Sequence, residues 1–227
     1  MGGKVIVSCR EHVSRLVAAR LQADVMGVDL VVVARTDALD AKLLDNNADP
    51  VDHPFILGCV DRNDPTKLAT FVEAGAAAIR ARFAGNEAEI RLRQWQEKAT
   101  RLSLTDALTL AKAMGVEFYF DWEKARTEEG YYRVKGSVDF CVARCKEFAK
   151  YCDMIWMETP TPNLKVAKQF ADGLRQYAPK KFLSYNLSPS FNWDAAGMTD
   201  KEIGEFSIEL GKLGYVWQVT GIVLKKF

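Results

Sequence analysis

The chain alternates short apolar runs with longer segments whose apolar residues recur at helical spacing. The apolar runs have the length and composition of strands, and they cover residues 4–7, 30–34, 154–158, 182–185 and 215–219. The segments with helical spacing cover residues 11–26, 137–151, 163–177 and 201–213. Strands that alternate with helices predict an α/β fold with a parallel sheet under helical cover.

Two of these segments, together with the stretch 38–44, give more specific expectations. The run at 30–34 is continuous and β-branched, which predicts a parallel strand buried on both faces. Residues 38–44 are expected to form a short helix. In the helix at 11–26, Val13, Leu16, Val17, Arg20, Leu21 and Val25 recur on one side.

The stretch 64–115 differs from the rest because it is rich in Ala, Arg, Glu and Lys. Its spacing predicts three amphipathic helices, near residues 66–84, 87–100 and 104–114. The charged residues between positions 87 and 101 are most simply explained as the solvent-exposed face of a helix. This stretch is therefore interpreted as a helical insertion.

Polar residues stand where three of the predicted strands end. Arg35 follows the run at 30–34, Glu158 ends the run at 154–158, and Asn186 follows the run at 182–185. Ser188 and Ser190 continue the last of these segments. In α/β barrels the carboxyl ends of the strands carry the functional sites, so these residues are candidates for binding a polar ligand.

Each candidate also has a structural explanation. Arg35 could pair with Asp37, a charge at a strand end is often only solvated, and the Asn186 segment could form a helix N-terminal cap cluster. The functional alternative for the Asn186 segment is that its short amide and hydroxyl side chains hydrogen-bond the carboxylate of a bound ligand. The tryptophans at 156, 193 and 217 are expected in the core rather than in a binding surface.

Composition and charge narrow the choice of partners. The formal net charge is +1, which gives no indication of a nucleic-acid partner, and no apolar run approaches the ~20 residues of a membrane helix. No glycine-rich dinucleotide fingerprint or P-loop is present. The five cysteines are an odd number, which favours reduced thiols on helix faces or in the core of an intracellular protein. His12 and His53 are expected to be structural.

Five segments resemble the isocitrate lyase family. They are Val33-Ala-Arg-Thr-Asp-Ala38, Asp49-x-x-Asp-His-Pro-Phe-Ile-Leu-Gly58, Arg126-Thr-x-x-Gly-Tyr-Tyr-Arg133, Trp156-Met-Glu-Thr159 and Tyr185-Asn-Leu-Ser-Pro-Ser-Phe-Asn-Trp193. The resemblance implies a (β/α)8 TIM-barrel family fold, present here as roughly the second half of the barrel with an inserted helical segment. It implies barrel β/α units at 1–63, the helical insertion at 64–115, and barrel units again at 116–227.

The resemblance also implies an activity. Family members cleave isocitrate to glyoxylate and succinate in the glyoxylate cycle, use Mg²⁺, and form homotetramers. By residue-by-residue match, Arg35 would clamp a substrate carboxylate, and Glu158 would lie beside the glyoxylate and metal region. Asn186, Ser188 and Ser190 would hold the succinate-side carboxylate. Thr220 would match a family threonine, although the family reads Gln-Phe-Ile-Thr-Leu-Ala-Gly where this chain reads Gln-Val-Thr-Gly-Ile.

The chain departs from the family at its front. The family signature Lys-Lys-Cys-Gly-His, which carries the catalytic thiol, stands before a Met-x-Gly-Lys-Val segment that is residues 1–5 here. The magnesium carboxylates of the family lie upstream as well. We therefore expect that the chain retains no catalytic residue and no metal ligand. Half a barrel leaves sheet edges unpaired, so the chain is expected to fold poorly alone or to be completed by another chain.

Three functions remain open from the sequence. The first is isocitrate lyase, with this chain carrying the substrate-carboxylate-binding half. The second is 2-methylisocitrate lyase, for which position 187 is informative because a pocket distinguishes one methyl group by ~1–3 kcal/mol. The third is a non-catalytic truncated homologue that acts in binding or subunit interaction. By resemblance the compartment is the glyoxysome, the peroxisome or the cytoplasm.

Overall fold

A computed structural model describes residues 4–188, 191–193 and 195–219. The strands are β1 (Val5–Ile6), β2 (Val33–Thr36), β3 (Leu43–Leu44), β4 (Leu57–Cys59), β5 (Leu68–Thr70), β6 (Tyr132–Arg133), β7 (Met154–Met157), β8 (Phe182–Asn186) and β9 (Tyr215–Val219). The helices are α1 (Cys9–Met26), α2 (Phe71–Arg82), α3 (Gly85–Ala99), α4 (Leu104–Ala113), α5 (Val138–Phe148), α6 (Leu164–Arg175) and α7 (Asp200–Lys212). No helix among these residues is both long and apolar enough to cross a membrane.

The chain divides into two compact units. Unit 1 comprises the described residues of Met1–Arg10 and Ala41–Gly136, and unit 2 those of Glu11–Asp40 and Ser137–Phe227. Helices α2 to α4 belong to unit 1. The boundaries at 1–63, 64–115 and 116–227 stay a prediction.

Unit 2 is built on a four-stranded sheet in the order β2-β7-β8-β9, and all its strand pairs are parallel. In this unit a helix precedes every strand of the sheet, which confirms the predicted β/α alternation. The register aligns Ala34 with Ile155 and Ile155 with Leu183. A bulge between β8 and β9 lets Leu183 oppose Tyr215 while Ser184 opposes Trp217.

One face of this sheet carries the core of unit 2. Ala34, Ile155, Leu183 and Tyr215 are aligned across the sheet and buried. Helix α5 packs on β2 and β7, and it also packs on α6. The predicted inward face of α5 is largely confirmed, since Val138, Cys141, Cys145 and Phe148 are buried and Val142 is only partly buried.

The prediction that residues 30–34 are buried on both faces is wrong. Strand β2 alternates exposed and buried residues, and Val31 just before it is 67% exposed. The physical reason is position, because β2 lies at the edge of the sheet and only one of its faces is covered in the described structure. A β-branched run specifies a strand but not what packs against it.

The helix predicted at 11–26 is present, and the side on which its apolar residues recur is buried only in part. Leu16 is buried and Ala23 is buried as well, whereas Leu21 is 61% and Val25 is 74% exposed. Spacing decides which residues share a helix face, but it does not decide whether another element covers that face. An apolar stripe on α1 therefore remains at the surface.

Unit 1 holds two small sheets and a helical cluster. Leu43 and Leu44 form β3, which pairs in parallel with β1 and antiparallel with β6, so the helix predicted at 38–44 is wrong. The first predicted helix of the insertion begins at Phe71 rather than near 66, because residues 68–70 pair with β4. A reciprocal capping box between Thr70 and Glu73 fixes that start.

Trp95 lies at the centre of the helical cluster of unit 1. It is fully buried, and its indole N–H donates to the backbone oxygen of Val72 at 2.7 Å. Helix α2 can approach this ring because residue 75 is glycine, where a Cβ would come within 2.2 Å of the indole. The Gly75–Trp95 contact therefore sets how closely α2 and α3 pack.

Candidate functional site

The three candidates at strand ends come together in unit 2. Arg35 lies near the end of β2, Glu158 directly follows β7, and Asn186 ends β8. These strands are neighbours and parallel, so their carboxyl ends lie along one edge of the sheet. The backbone N–H of Glu158 donates to the oxygen of Thr36 at 3.0 Å, which fixes the ends of β2 and β7 side by side.

Arg35 is held by an acidic neighbour two residues along the chain. Its Nε and Nη2 donate to the two carboxylate oxygens of Asp37 at 2.8 and 2.9 Å. The same Nη2 lies 3.8 Å from the carboxylate of Glu158. The hydrogen bond with Asp37 raises the pKa of Arg35, and burial opposes that change only in part. The guanidinium is therefore charged and fixed in orientation.

The ring of Trp156 packs against the Arg35 guanidinium. The central carbon of the Arg35 guanidinium lies 4.5 Å from the centre of the Trp156 ring, which is a cation–π contact. Arg35 and Trp156 are register partners on β2 and β7, so both side chains leave the same face of the sheet. Tryptophan 156 was expected in the core, but it is only partly buried and forms part of this site.

Asn186 joins β8 to the segment after β7. Its side-chain oxygen accepts hydrogen bonds from the indole N–H of Trp156 at 3.2 Å and from the N–H and hydroxyl of Thr159 at 3.0 and 3.1 Å. Its amide nitrogen donates to the backbone oxygen of Thr159 at 2.8 Å. Asn186 is buried. In this structure its amide therefore positions Trp156 and Thr159.

The polar series after Asn186 is only partly described. Ser188 is partly buried, and its backbone oxygen accepts from the N–H of Phe191 at 3.0 Å. Asn192 accepts from the N–H of Ala195 at 2.9 Å, which is a local turn contact, whereas the N-cap of α7 is Thr199. Ser190 and Thr220 lie outside the described residues.

The donor set of the site suits an anion better than a metal ion. Arg35 uses two N–H groups on Asp37, so its guanidinium keeps further donors for a planar carboxylate. Mg²⁺ requires several oxygen ligands, and the described residues contain no group of three or more His, Cys, Asp or Glu suited to a metal. Both acids nearby, Asp37 and Glu158, are paired with or close to the guanidinium. The described residues alone therefore do not fit Mg²⁺.

No thiol lies at the surface of the described chain. All five cysteines are reduced and buried, as the sequence predicted. Burial raises the pKa of Cys141 to about 12 and raises the pKa of Cys152. Cys9 is fully buried, and its backbone N–H donates to Asp52 at 2.8 Å.

Two site residues were not assigned a role from the sequence. Thr159 stands in the family segment Trp156-Met-Glu-Thr159, but its role depends on a contact with Asn186 across 27 residues. Trp156 gave a weak signal, because it stands two residues before Glu158 on the same strand. Asp37, by contrast, was expected to form a local salt bridge, and it does.

A family model described as the isocitrate lyase family matches residues 1–108 and 63–224 of the chain. The isocitrate lyase of Oryza sativa subsp. japonica is 41% identical over 254 residues, which cover 96% of this chain and 44% of that protein. The isocitrate lyase of Saccharomyces cerevisiae is 35% identical over 254 residues, which cover 96% of this chain and 45% of that protein.

A relative with a different name also matches. The mitochondrial 2-methylisocitrate lyase of Saccharomyces cerevisiae is 33% identical over 259 residues, which cover 98% of this chain and 44% of that protein. The chain spans about half the length of the curated relatives it matches.

Proposed function

The chain belongs to the isocitrate lyase family, and we propose that it carries the substrate-carboxylate-binding half of an isocitrate lyase. The reaction is the cleavage of isocitrate to glyoxylate and succinate. The observation that carries the proposal is the group of Arg35, Glu158 and Asn186 at the carboxyl ends of three adjacent parallel strands. In α/β barrels this end of the sheet is where substrates bind.

Arg35 is the main binding residue in this proposal. A substrate carboxylate would accept from the guanidinium donors that Asp37 leaves available, which fixes both its position and its plane. Asp37 and Trp156 are positioning residues. Asp37 accepts hydrogen bonds from the guanidinium, and the Trp156 ring packs against its face. Glu158, whose carboxylate lies 3.8 Å from Arg35, is proposed to lie beside the glyoxylate and metal region, as the family match implies.

Asn186 contributes through the structure around it, since its amide holds Trp156 and Thr159. Ser188, with Ser190 and Thr220 from outside the described residues, is proposed to bind the succinate-side carboxylate by neutral hydrogen bonds. Mg²⁺, proposed for the complete enzyme, would supply Lewis-acid polarisation of the glyoxylate carbonyl. Its ligands are proposed to lie outside this chain, as is the thiol that acts as acid and base.

The test is a chimera in which this chain replaces the matching segment of the rice relative, assayed with isocitrate and Mg²⁺ for glyoxylate formation. We expect turnover, and we expect Arg35→Ala to lower kcat/KM about 10- to 100-fold, as for the loss of a charge-assisted hydrogen bond. Arg35→Lys should recover only part of that loss, because an ammonium cannot donate two parallel bonds.

Arg126→Ala is the matched control. Arg126 is also bound to an acidic neighbour, Glu123, but it lies in a loop of unit 1. Its substitution should leave kcat/KM near the unmodified value. An equal loss for Arg126→Ala and Arg35→Ala would refute a specific role for Arg35, and a chimera that turns over 2-methylisocitrate but not isocitrate would replace the proposed substrate.

A further inference from the structure

Two consecutive residues of β8 hold the segment that follows β7. Successive residues of a strand point to opposite faces of the sheet, so Tyr185 lies on the core face and Asn186 on the face that carries the site. Asn186 is hydrogen-bonded to Thr159. The Tyr185 hydroxyl accepts from the backbone N–H of Asn163 at 3.1 Å. Strand β8 therefore fixes residues 159 and 163 from its two faces.

The segment between these two contacts is short and stiff. It reads Glu158-Thr-Pro-Thr-Pro-Asn163, and proline fixes φ at positions 160 and 162. Pro162 is buried as well. A shift of the backbone at Asn163 would therefore be transmitted to Thr159 instead of being absorbed between the two residues.

The contacts of Thr159 also fix which way the Asn186 amide faces. The amide oxygen and one amide N–H bind the backbone N–H and C=O of Thr159, at 3.0 and 2.8 Å. A flipped amide would turn its NH2 group toward two N–H donors, those of Thr159 and Trp156. Because one edge of the amide is used by Thr159, the second N–H points away from Thr159. This N–H has no acceptor among the described residues.

Tyr185 is itself fixed in the core of unit 2. It is fully buried, and its ring centre lies 5.7 Å from that of Phe206 and 5.6 Å from that of Tyr215. Burial raises the pKa of its phenol, and hydrogen bonding with Thr159 and Asn163 opposes that rise only in part. The phenol is therefore neutral, and it acts on its neighbours through hydrogen bonds.

We propose that Tyr185 is a positioning residue of the substrate site, which holds the segment 158–163 so that Thr159 orients the Asn186 amide toward a substrate carboxylate. This role rests on the proposed function, in which the family match places Asn186 at the succinate-side carboxylate. Tyr185 does not reach the substrate itself, because it lies on the other face of the sheet. Without its hydroxyl, Asn163 and then Thr159 shift, and the second N–H of Asn186 loses its direction.

The test is Tyr185→Phe in the full-length chimera, because this substitution removes the hydroxyl and keeps the ring. Tyr215→Phe is the matched control. Tyr215 is also buried in unit 2, but its hydroxyl donates to the backbone oxygen of Ala167 at 2.9 Å, outside the segment 158–163. We expect Tyr185→Phe to lower kcat/KM for isocitrate about 3- to 10-fold, mostly through a higher KM, as for the loss of one hydrogen bond. Tyr215→Phe should leave kcat/KM near the unmodified value.

A double variant shows whether Tyr185 acts through Asn186. Asn186→Ala removes the amide, so adding Tyr185→Phe to it should cause little further loss of kcat/KM. Additive losses in the double variant would overturn the positioning role. Equal losses for Tyr185→Phe and Tyr215→Phe would overturn it as well, because they would reflect only the stability of the core.

Hydrogen exchange measured by mass spectrometry gives a readout that does not depend on activity. The backbone N–H groups of Thr159 and Asn163 are bonded to Asn186 and Tyr185. We expect Tyr185→Phe to accelerate exchange in the peptide that spans residues 155–165, and Tyr215→Phe to leave it unchanged. Unchanged exchange in Tyr185→Phe would refute the inference even in a chimera without turnover. If Arg35→Ala keeps full activity while exchange responds as expected, the proposed function fails and the hold by Tyr185 on the segment stands.

Discussion

Arg144 and His12 show how burial controls the chemistry of single residues in unit 2. The Arg144 guanidinium is buried and lies 5.6 Å from the centres of both the Phe140 and the Phe148 rings. His12 packs against Phe148 with ring centres 4.5 Å apart, and its Nε2 is buried without a hydrogen-bond partner among the described residues. A protonated imidazole would be poorly stabilised in such a place.

This environment gives a pH prediction. Burial is the largest cause that lowers the pKa of His12, and repulsion from Arg144 and Arg15 adds to it. Together they lower this pKa from 6.5 to about 4. Between those values the unfolded chain binds a proton that the folded chain does not, so the free energy of unfolding should fall as pH falls from 6.5 to 4. Denaturant unfolding at several pH values measures this dependence.

His12→Asn removes the titrating group and is the comparison to make. We expect the variant to lose less stability than the unmodified chain over the same interval. Equal pH slopes for the two proteins would show that His12 does not stay neutral in the fold. The second histidine, His53, is present in both proteins. Its ring is hydrogen-bonded to the backbone oxygen of Asn47 and to the backbone N–H of Leu104, which supports the structural role expected from the sequence.

Helix packing gives a prediction at the scale of the element. Glycine in a helix interior is normally destabilising, so Gly→Ala commonly stabilises a helix by about 0.5–1 kcal/mol. At Gly75 on α2, however, a Cβ would meet the buried Trp95 ring at 2.2 Å. We expect Gly75→Ala to lower the free energy of unfolding by about 1–3 kcal/mol, because the core of unit 1 is overpacked.

Gly204 on α7 is the matched control. A Cβ at Gly204 has no atom within 4 Å, so Gly204→Ala should stabilise the protein. Denaturant midpoints of the two variants measure the difference. If both substitutions shift the midpoint in the same direction, the Gly75–Trp95 contact does not limit how α2 and α3 pack.

The prediction for the whole molecule concerns catalysis. The 227 residues contain no Lys-Lys-Cys-Gly-His sequence, and all five thiols are buried, with the pKa of Cys141 raised to about 12. We therefore expect the chain by itself to form no glyoxylate from isocitrate and Mg²⁺, measured as the phenylhydrazone, under conditions where the rice relative is active.

A measurable rate from the chain alone would contradict this expectation. The next variant would then be Cys9→Ser, because Cys9 is the thiol nearest in sequence to the family signature position. Loss of that rate in Cys9→Ser would place the acid/base thiol inside this chain. Retention of the rate would direct the search to the other four cysteines.

The sequence by itself determined the element types of unit 2 and the positions of its polar strand ends. Apolar runs and helical spacing depend only on neighbours in the chain, so β7, β8, β9 and the helices between them were predictable. The family motifs identified Arg35, Glu158 and Asn186, and the register brings these residues to one edge of the sheet.

Only the tertiary structure decided what each surface packs against. The exposure of Val31, Leu21 and Trp217 depends on which elements lie beside β2, α1 and β9, and no local pattern records this. The strand at Leu43–Leu44 forms through pairing with β1 and β6, which overrides its helical pattern. The bond from Thr159 to Asn186 likewise joins residues that are distant in sequence. Burial and pairing are long-range properties, so the fold had to be known before they could be assigned.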